Sequence, residues 1–170
     1  MRRALLAVWG MVVGMFVFTG VVSAADYKFA YVDITRVFSD YNKTKEYDKL
    51  LGSKEDGYTK DREKRVAEIK QYQDKLSLLS DKEKAAKKTE FESKLKVLQD
   101  FDREKQTDLR KEQDDKMKEI LKDIEDVVKK YAEKEGVTFV FNDRVLVYQD
   151  KKLDISDKII EELNKTYKPK

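Results

Sequence analysis

The side chains able to do chemistry in this chain are almost all lysines and carboxylates. Among 170 residues there are 37 Lys and Arg and 34 Asp and Glu, but no His and no Cys. Those two absences exclude disulfides, a thiol nucleophile, lipid attachment at a lipobox cysteine, the usual zinc ligands and the commonest general base. A carboxylate-only site stays open to such a chain, yet no spacing of acids singles one out. The sequence therefore predicts no enzyme, no cofactor site and no metal site. What is left is recognition by charge and by apolar contact. Lys82, Lys84, Lys87 and Lys88 crowd into one short stretch, where they are candidates for contacting acidic polypeptides or the anionic headgroups of a membrane surface. The same residues also suit the solvated face of any long helix. From Lys60 to Lys96 twelve basic residues stand against eight acidic ones, and from Gln99 to Asp126 seven stand against eleven, so one stretch is net +4 and the next net −4. Tyr58, Tyr72, Phe91 and Phe101 lie in the same region. They can touch a bound chain, but at helical spacing Phe91 reads first as a helix-pairing residue.

The elements that carry these groups begin after a leader. Arg2 and Arg3 precede an uncharged apolar run from Ala4 to Val22, closed by Ser23, Ala24 and Ala25. That is the layout of a secretory signal peptide, with cleavage expected after Ala24. About 19 apolar residues are also nearly enough for an uncleaved membrane anchor. Gly20 and the small residues Val22-Ser23-Ala24 favour cleavage. Removing Arg2 and Arg3 leaves 35 basic against 34 acidic residues, too near balance for a nucleic-acid footprint.

Charged residues make up 42% of the chain, with six Gly and one Pro, a composition suited to long helices. Turn signals are nearly absent for about a hundred residues in the middle. The one good break is Leu78-Leu79-Ser80-Asp81, where Ser80 and Glu83 form a capping box. Two helices are expected, from about Thr35 to Leu79 and from about Asp81 to Lys134, folded back as an antiparallel hairpin. The pairing seam reads through Met117, Ile120, Ile124, Val127 and Tyr131 at steps of three and four. Near the turn Phe91, Leu95 and Leu98 are expected opposite Ile69, Leu76 and Leu79. Between these stretches, from Gln99 to Lys116, only Phe101 and Leu109 are large and apolar, and Gly52 and Gly57 lie across from them. A pliable mid-arm follows, or else a plain solvated stalk.

Gly136 should end the second helix. Two strand-like runs follow, Val137 to Phe141 and Val145 to Tyr148, joined by Asn142-Asp143-Arg144 and expected to form a hairpin. Asp154 or Ser156 then caps a last helix with Ile155, Ile159, Ile160 and Leu163 on its apolar face. With the head strand at Tyr27 to Val32 these make a small body, whose core and assembly residues are expected to include Tyr31, Val32, Phe139, Phe141, Val145, Val147, Ile155 and Ile159; Tyr148 is expected in that core too. Some 60 residues without disulfides or metal usually need added burial, most simply from self-association. The fold class is therefore α+β, mainly α: a long coiled-coil hairpin arm on a small β-rich body that self-associates. The expected division is 1–24 signal peptide, 25–50 and 118–170 body, and 51–117 arm with its tip near 79–82.

Ala30-Tyr31-Val32-Asp33-Ile34-Thr35-Arg36-Val37-Phe38, followed by Tyr41-Asn42-Lys43-Thr44-Lys45, resembles the head motif of the OmpH/Skp family of periplasmic chaperones. Val145-Leu146-Val147-Tyr148 and Leu153-Asp154-Ile155-Ser156-Asp157-Lys158-Ile159-Ile160 resemble that family's closing strand and its aspartate-isoleucine-threonine-aspartate motif, with Ser156 in the threonine position. The arms resemble it in length and pattern only. The resemblance implies a soluble periplasmic homotrimer with a central β-barrel body and helical arms around a cavity, where unfolded outer-membrane proteins are held without ATP and kept from aggregating. It leaves open weak contact with an anionic membrane surface or lipopolysaccharide. Family members are often strongly basic, and this chain departs from them in its near-neutral charge. Two other classes fit parts of the sequence. An envelope coiled-coil spacer would need a continuous seam, and a polyanion binder would need a stronger basic excess and would lose affinity steeply in salt.

Overall fold

The first element of the described chain is a strand, Phe29–Val32 (β1), in which Ala30 and Val32 point to the core and Tyr31, on the other face, is buried as well. The computed structural model describes residues 27–169, so the expected signal peptide lies outside the described residues. Asp33 stops the strand and caps the next element, its carboxylate accepting from the Arg36 N–H at 2.9 Å as N-cap aspartates do. Helix α1 (Ile34–Asp40) is short. The extended backbone of Tyr41 separates it from α2 (Asn42–Ser77), so the first long helix expected from the sequence is broken once near its start.

The turn falls at Leu78–Ser80, where the sequence places it. Glu83 reaches back to accept from the Ser80 N–H at 3.0 Å and from its hydroxyl, and α3 runs from Asp81 to Glu135. At 1.5 Å per residue α2 spans about 54 Å and α3 about 80 Å. Gly136 ends α3 in the left-handed conformation, φ 67°, which is why a residue without Cβ stands there. Among the described residues no helix is long and apolar enough to cross a membrane.

The expected tail hairpin does not form. Strand β2 (Phe139–Asn142) pairs in parallel with β1, Phe29 opposite Phe139 through Val32 opposite Asn142. This parallel pairing is possible because the whole α1–α3 excursion serves as the long crossover that such strands need. After Asn142 its side-chain oxygen accepts from the Arg144 N–H at 3.2 Å, turning the chain into a single 3₁₀ turn at Asp143–Val145 in place of a hairpin loop. Val145–Tyr148 is left outside the sheet. β-branched residues report that a backbone suits a pleated surface, not which strand it will meet. A second 3₁₀ turn, Lys151–Leu153, returns the chain to β1, where the Ile155 N–H donates to the Tyr31 carbonyl at 3.0 Å. Helix α4 (Ser156–Thr166) closes the fold.

The core lies where β1, α1, the lower end of α3 and α4 meet. It consists of Ala30, Val32, Val37, Tyr41, Ile120, Ile124, Ile155, Ile159 and Leu163. Each fully buried Ile or Leu contributes about 1.5–3 kcal/mol relative to exposure.

Candidate functional site

Two surfaces can meet another molecule: the hairpin arm and the outer face of the two-stranded sheet. Both are positioned by a polar junction that the sequence alone did not reveal. At the root of α2, Lys43 lies between α3 carboxylates, with its Nζ 2.6 Å from Glu119 and 2.6 Å from Asp123. Tyr41 donates its hydroxyl to Asp123 at 3.3 Å and packs edge-on against Tyr167, whose hydroxyl donates to Glu46 at 2.7 Å. Burial, reinforced by the Asp123 carboxylate, pushes Tyr41 up to about 12. Hydrogen bonds from Lys116 and then Lys43 pull Glu119 down to about 2. Burial alone would lower the Lys43 ammonium, yet its bonds to Asp123 and Glu119 hold it above the ordinary lysine value. Farther along the body, Ser156 donates to Asp154 and accepts the Asp33 N–H at 2.9 Å, and Asn164 accepts the Asn42 N–H at 2.7 Å. Half-buried and exposed polar bonds thus join the root of α2 to α3 and α4.

Outward from this junction the seam departs from the residues expected. Ile120 and Ile124 are fully buried and Val127 and Tyr131 half-buried, but Met117 is exposed and Lys116 takes the inward place. Leu109, Glu112, Lys116, Ile120, Ile124, Val127 and Tyr131 are shielded positions, so the seam still steps by threes and fours but passes through Lys116 in place of Met117. Leu95 is likewise exposed, whereas Phe91 and Leu98 are half-buried. Phe91 stacks on Tyr72 at 6.2 Å between ring centres.

The polar mid-arm is bridged by side-chain contacts between the helices. Asp102 accepts from the Tyr58 hydroxyl at 3.0 Å and from Arg62 at 3.1 Å, and Lys54 reaches Glu112. Phe101 packs on Tyr58 and lies 4.2 Å beneath the Arg65 guanidinium. Gly52 and Gly57 have open space where a Cβ would sit.

The four tip lysines do not form one cluster. Lys84 and Lys88 lie one turn apart beside Ala85 and Phe91 and face Gln73, Leu76 and Ser77 of α2 across a shallow notch. Lys87 is turned to Glu90 at 3.4 Å, and Lys82 is exposed elsewhere on the turn.

The body residues named from the sequence divide into two groups. Tyr31, Val32, Ile155 and Ile159 are buried. Phe139 and Phe141 are 49% and 38% exposed, and Val145, Val147 and Tyr148 are more exposed still, so none of these five belongs to the core of the single chain. The reason is the parallel pairing: among the described residues one face of the sheet is left uncovered, and Val145–Tyr148 finds no strand partner. On that open face Phe29 stacks on Phe139 at 5.8 Å and on Phe141 at 6.3 Å, while Tyr27 meets Phe139 at 6.3 Å.

The family profile for outer membrane protein (OmpH-like) matches residues 28–163. Among solved structures, a protein of Caulobacter crescentus assigned provisionally as an OmpH-like outer membrane chaperone superposes with a TM-score of 0.76. It shares 10% identity and the match covers 89% of this chain and 92% of that one. At that identity the likeness is one of fold. Comparison with curated proteins gave no match. With the profile spanning both strands, the hairpin and most of α4, the chain belongs to the OmpH-like family.

Proposed function

We propose that the chain is a soluble periplasmic chaperone that holds unfolded outer-membrane proteins between helical arms and prevents their aggregation, without ATP and without catalysis. The observation that carries this reading is the separation of its two surfaces. All buried residues lie at or before Tyr47 or from Ile120 onward, and the hairpin between them projects without a core of its own. An arm built this way adds reach and contact area rather than stability. An unfolded barrel protein exposes apolar strands that pair and aggregate, and many weak contacts along enclosing arms retain it while allowing release. Family membership and the shared fold support the same reading.

In this proposal residues 25–50 and 118–170 form the body, 51–117 the arm, and residues 1–24 a signal peptide removed on export. Three copies assemble through the open sheet face, which offers Phe29, Phe139 and Phe141 to a neighbour together with the unpaired Val145 and Val147. An exposed aromatic ladder beside an unpaired β-branched segment invites such burial.

The deciding experiment is dilution of a urea-unfolded outer-membrane barrel into buffer with and without the purified protein. Suppressed light scattering is expected, and a mere spacer would leave it unchanged. Deleting Tyr58 to Asp108 and closing the gap with a short turn should abolish protection while size measurement still finds a trimer. A truncated trimer that protects as well as the parent would move binding to the body surface. Phe141→Asp should dissociate the assembly, because a charge forced into an apolar interface costs several kcal/mol. A stable monomer of the unmutated protein would defeat the assembly proposal.

A further inference from the structure

We propose that the notch at the arm tip takes a bulky apolar side chain of an unfolded polypeptide that carries a carboxylate close beside it. The inference rests on the chaperone reading and assigns part of client recognition to a defined place. The notch measures about 410 Å³ and lies between the last turns of α2 and the first turns of α3. Leu76, Ala85 and Phe91 are its apolar lining, and Leu78, 87% exposed, follows at the end of α2. Covering this apolar lining with a ligand's apolar group removes it from water, which is favourable in proportion to the area buried.

The charged side chains that line it have one sign. Lys84 and Lys88 are the ionised groups that line the notch, and their i, i+4 spacing sets them about 6 Å apart on one face of α3. The nearest acids are engaged or easily displaced. Glu83 is occupied by Ser80, and Glu90 by Lys87. Asp81 and Glu92 approach Lys84 and Lys88 only at 3.9 and 3.8 Å, in exposed positions where an ion pair is worth little. A ligand carboxylate can therefore take these ammonium groups while its apolar neighbour covers the apolar lining. The groove on the opposite face, beside Ile69 and Val97, is edged by Arg65, Glu68, Glu90 and Lys94. Both signs are present there, so it has no such preference. The set of four lysines thus reduces to two that combine charge with an apolar seat.

The test uses short fluorescent peptides that alternate Phe with Asp, Phe with Lys, and Ser with Asp, titrated against the purified protein by anisotropy. The Phe/Asp peptide should bind about tenfold or more tightly than either other peptide, and K84E/K88E should reverse its advantage over Phe/Lys. Ala85→Phe, at an exposed position, should fill the notch and weaken Phe/Asp binding without shifting the melting temperature; Leu78→Ser should weaken it too. Equal affinity for the Phe/Asp and Phe/Lys peptides, or unchanged binding by Ala85→Phe, would overturn the proposal. Binding of phosphatidylglycerol vesicles that K84E/K88E abolishes, with no selectivity among peptides, would make the tip a membrane contact and overturn it as well. Peptide selectivity in a protein that fails to suppress barrel aggregation would sink the chaperone reading and leave the notch standing.

Discussion

Between Tyr47 and Ile120 no residue is fully withdrawn from solvent, whereas the body on either side buries Val37, Ile124, Ile159 and Leu163 completely or nearly so. The two regions are kept in shape by different forces. The body depends on a few apolar side chains brought together from four elements far apart in sequence. The arm depends on local helix formation, a capping box at its turn and scattered contacts across the hairpin, such as Tyr58 and Arg62 on Asp102. Losing one contact in the arm should be absorbed locally, while losing one in the body should be felt throughout.

The largest effect expected from this contrast is in the body. Ile159→Ala should cost about 2–5 kcal/mol, as large-to-small changes at fully buried sites do. Denaturant unfolding followed by circular dichroism would measure it. The matching change in the arm, Leu98→Ala, should cost much less, because Leu98 is only half-buried. Equal losses at the two positions would erase the distinction between the regions.

The junction should give an intermediate effect that depends on pH. Lys43→Met removes the ammonium between Glu119 and Asp123 and should cost about 1.5–3 kcal/mol at neutral pH, the range for hydrogen bonds to charged groups. Glu119 is held at about 2 against an ordinary 4.5. A carboxyl depressed in the folded state contributes stability that is fully present above its unfolded value and lost as pH falls through the folded one. The contribution should therefore be complete above about 4.5 and fade toward about 2. Glu119→Gln should flatten the fall in melting temperature over that window. An unchanged slope would show that the junction does not gate acid stability.

What the sequence made legible follows the same division. The arm was readable because its determinants are local: the capping box at Ser80 and Glu83, the left-handed Gly136 and the turn at 78–80 each act within a few residues. The body was readable only in part. Ile155 and Ile159 announced a buried helix face, but the partner of β2 is set by a crossover of about a hundred residues, and strand propensity carries no information about it. The exposed places of Phe139, Phe141, Val145 and Val147 follow from that pairing. The Lys43, Glu119 and Asp123 junction was hidden for the same reason, since its members lie some 80 residues apart. Among the tip lysines, charge alone could not separate Lys84 and Lys88 from Lys82 and Lys87. Only the packing of α2 against α3 places the first two beside an apolar lining.

The smallest effect tests whether the arm's looseness is built in. Gly52 and Gly57 lie inside α2, where each glycine costs a helix about 0.5–1 kcal/mol relative to alanine. Neither has an atom within 4 Å of where a Cβ would go, so close packing does not require them. Their helical backbone also accommodates an L side chain without strain. Gly57→Ala should accordingly stabilise α2 by about 0.5–1 kcal/mol and slow amide exchange in the residues around it, with the body's exchange unaffected. Combining it with Gly52→Ala should roughly double the gain, since the two lie five positions apart and share no contact. If the stiffened arm protects a range of barrel clients less well while the body remains as stable, then the two glycines serve adaptability. If protection is unchanged, the contrast between body and arm is one of stability alone, and the weakness of the mid-arm has no part in holding.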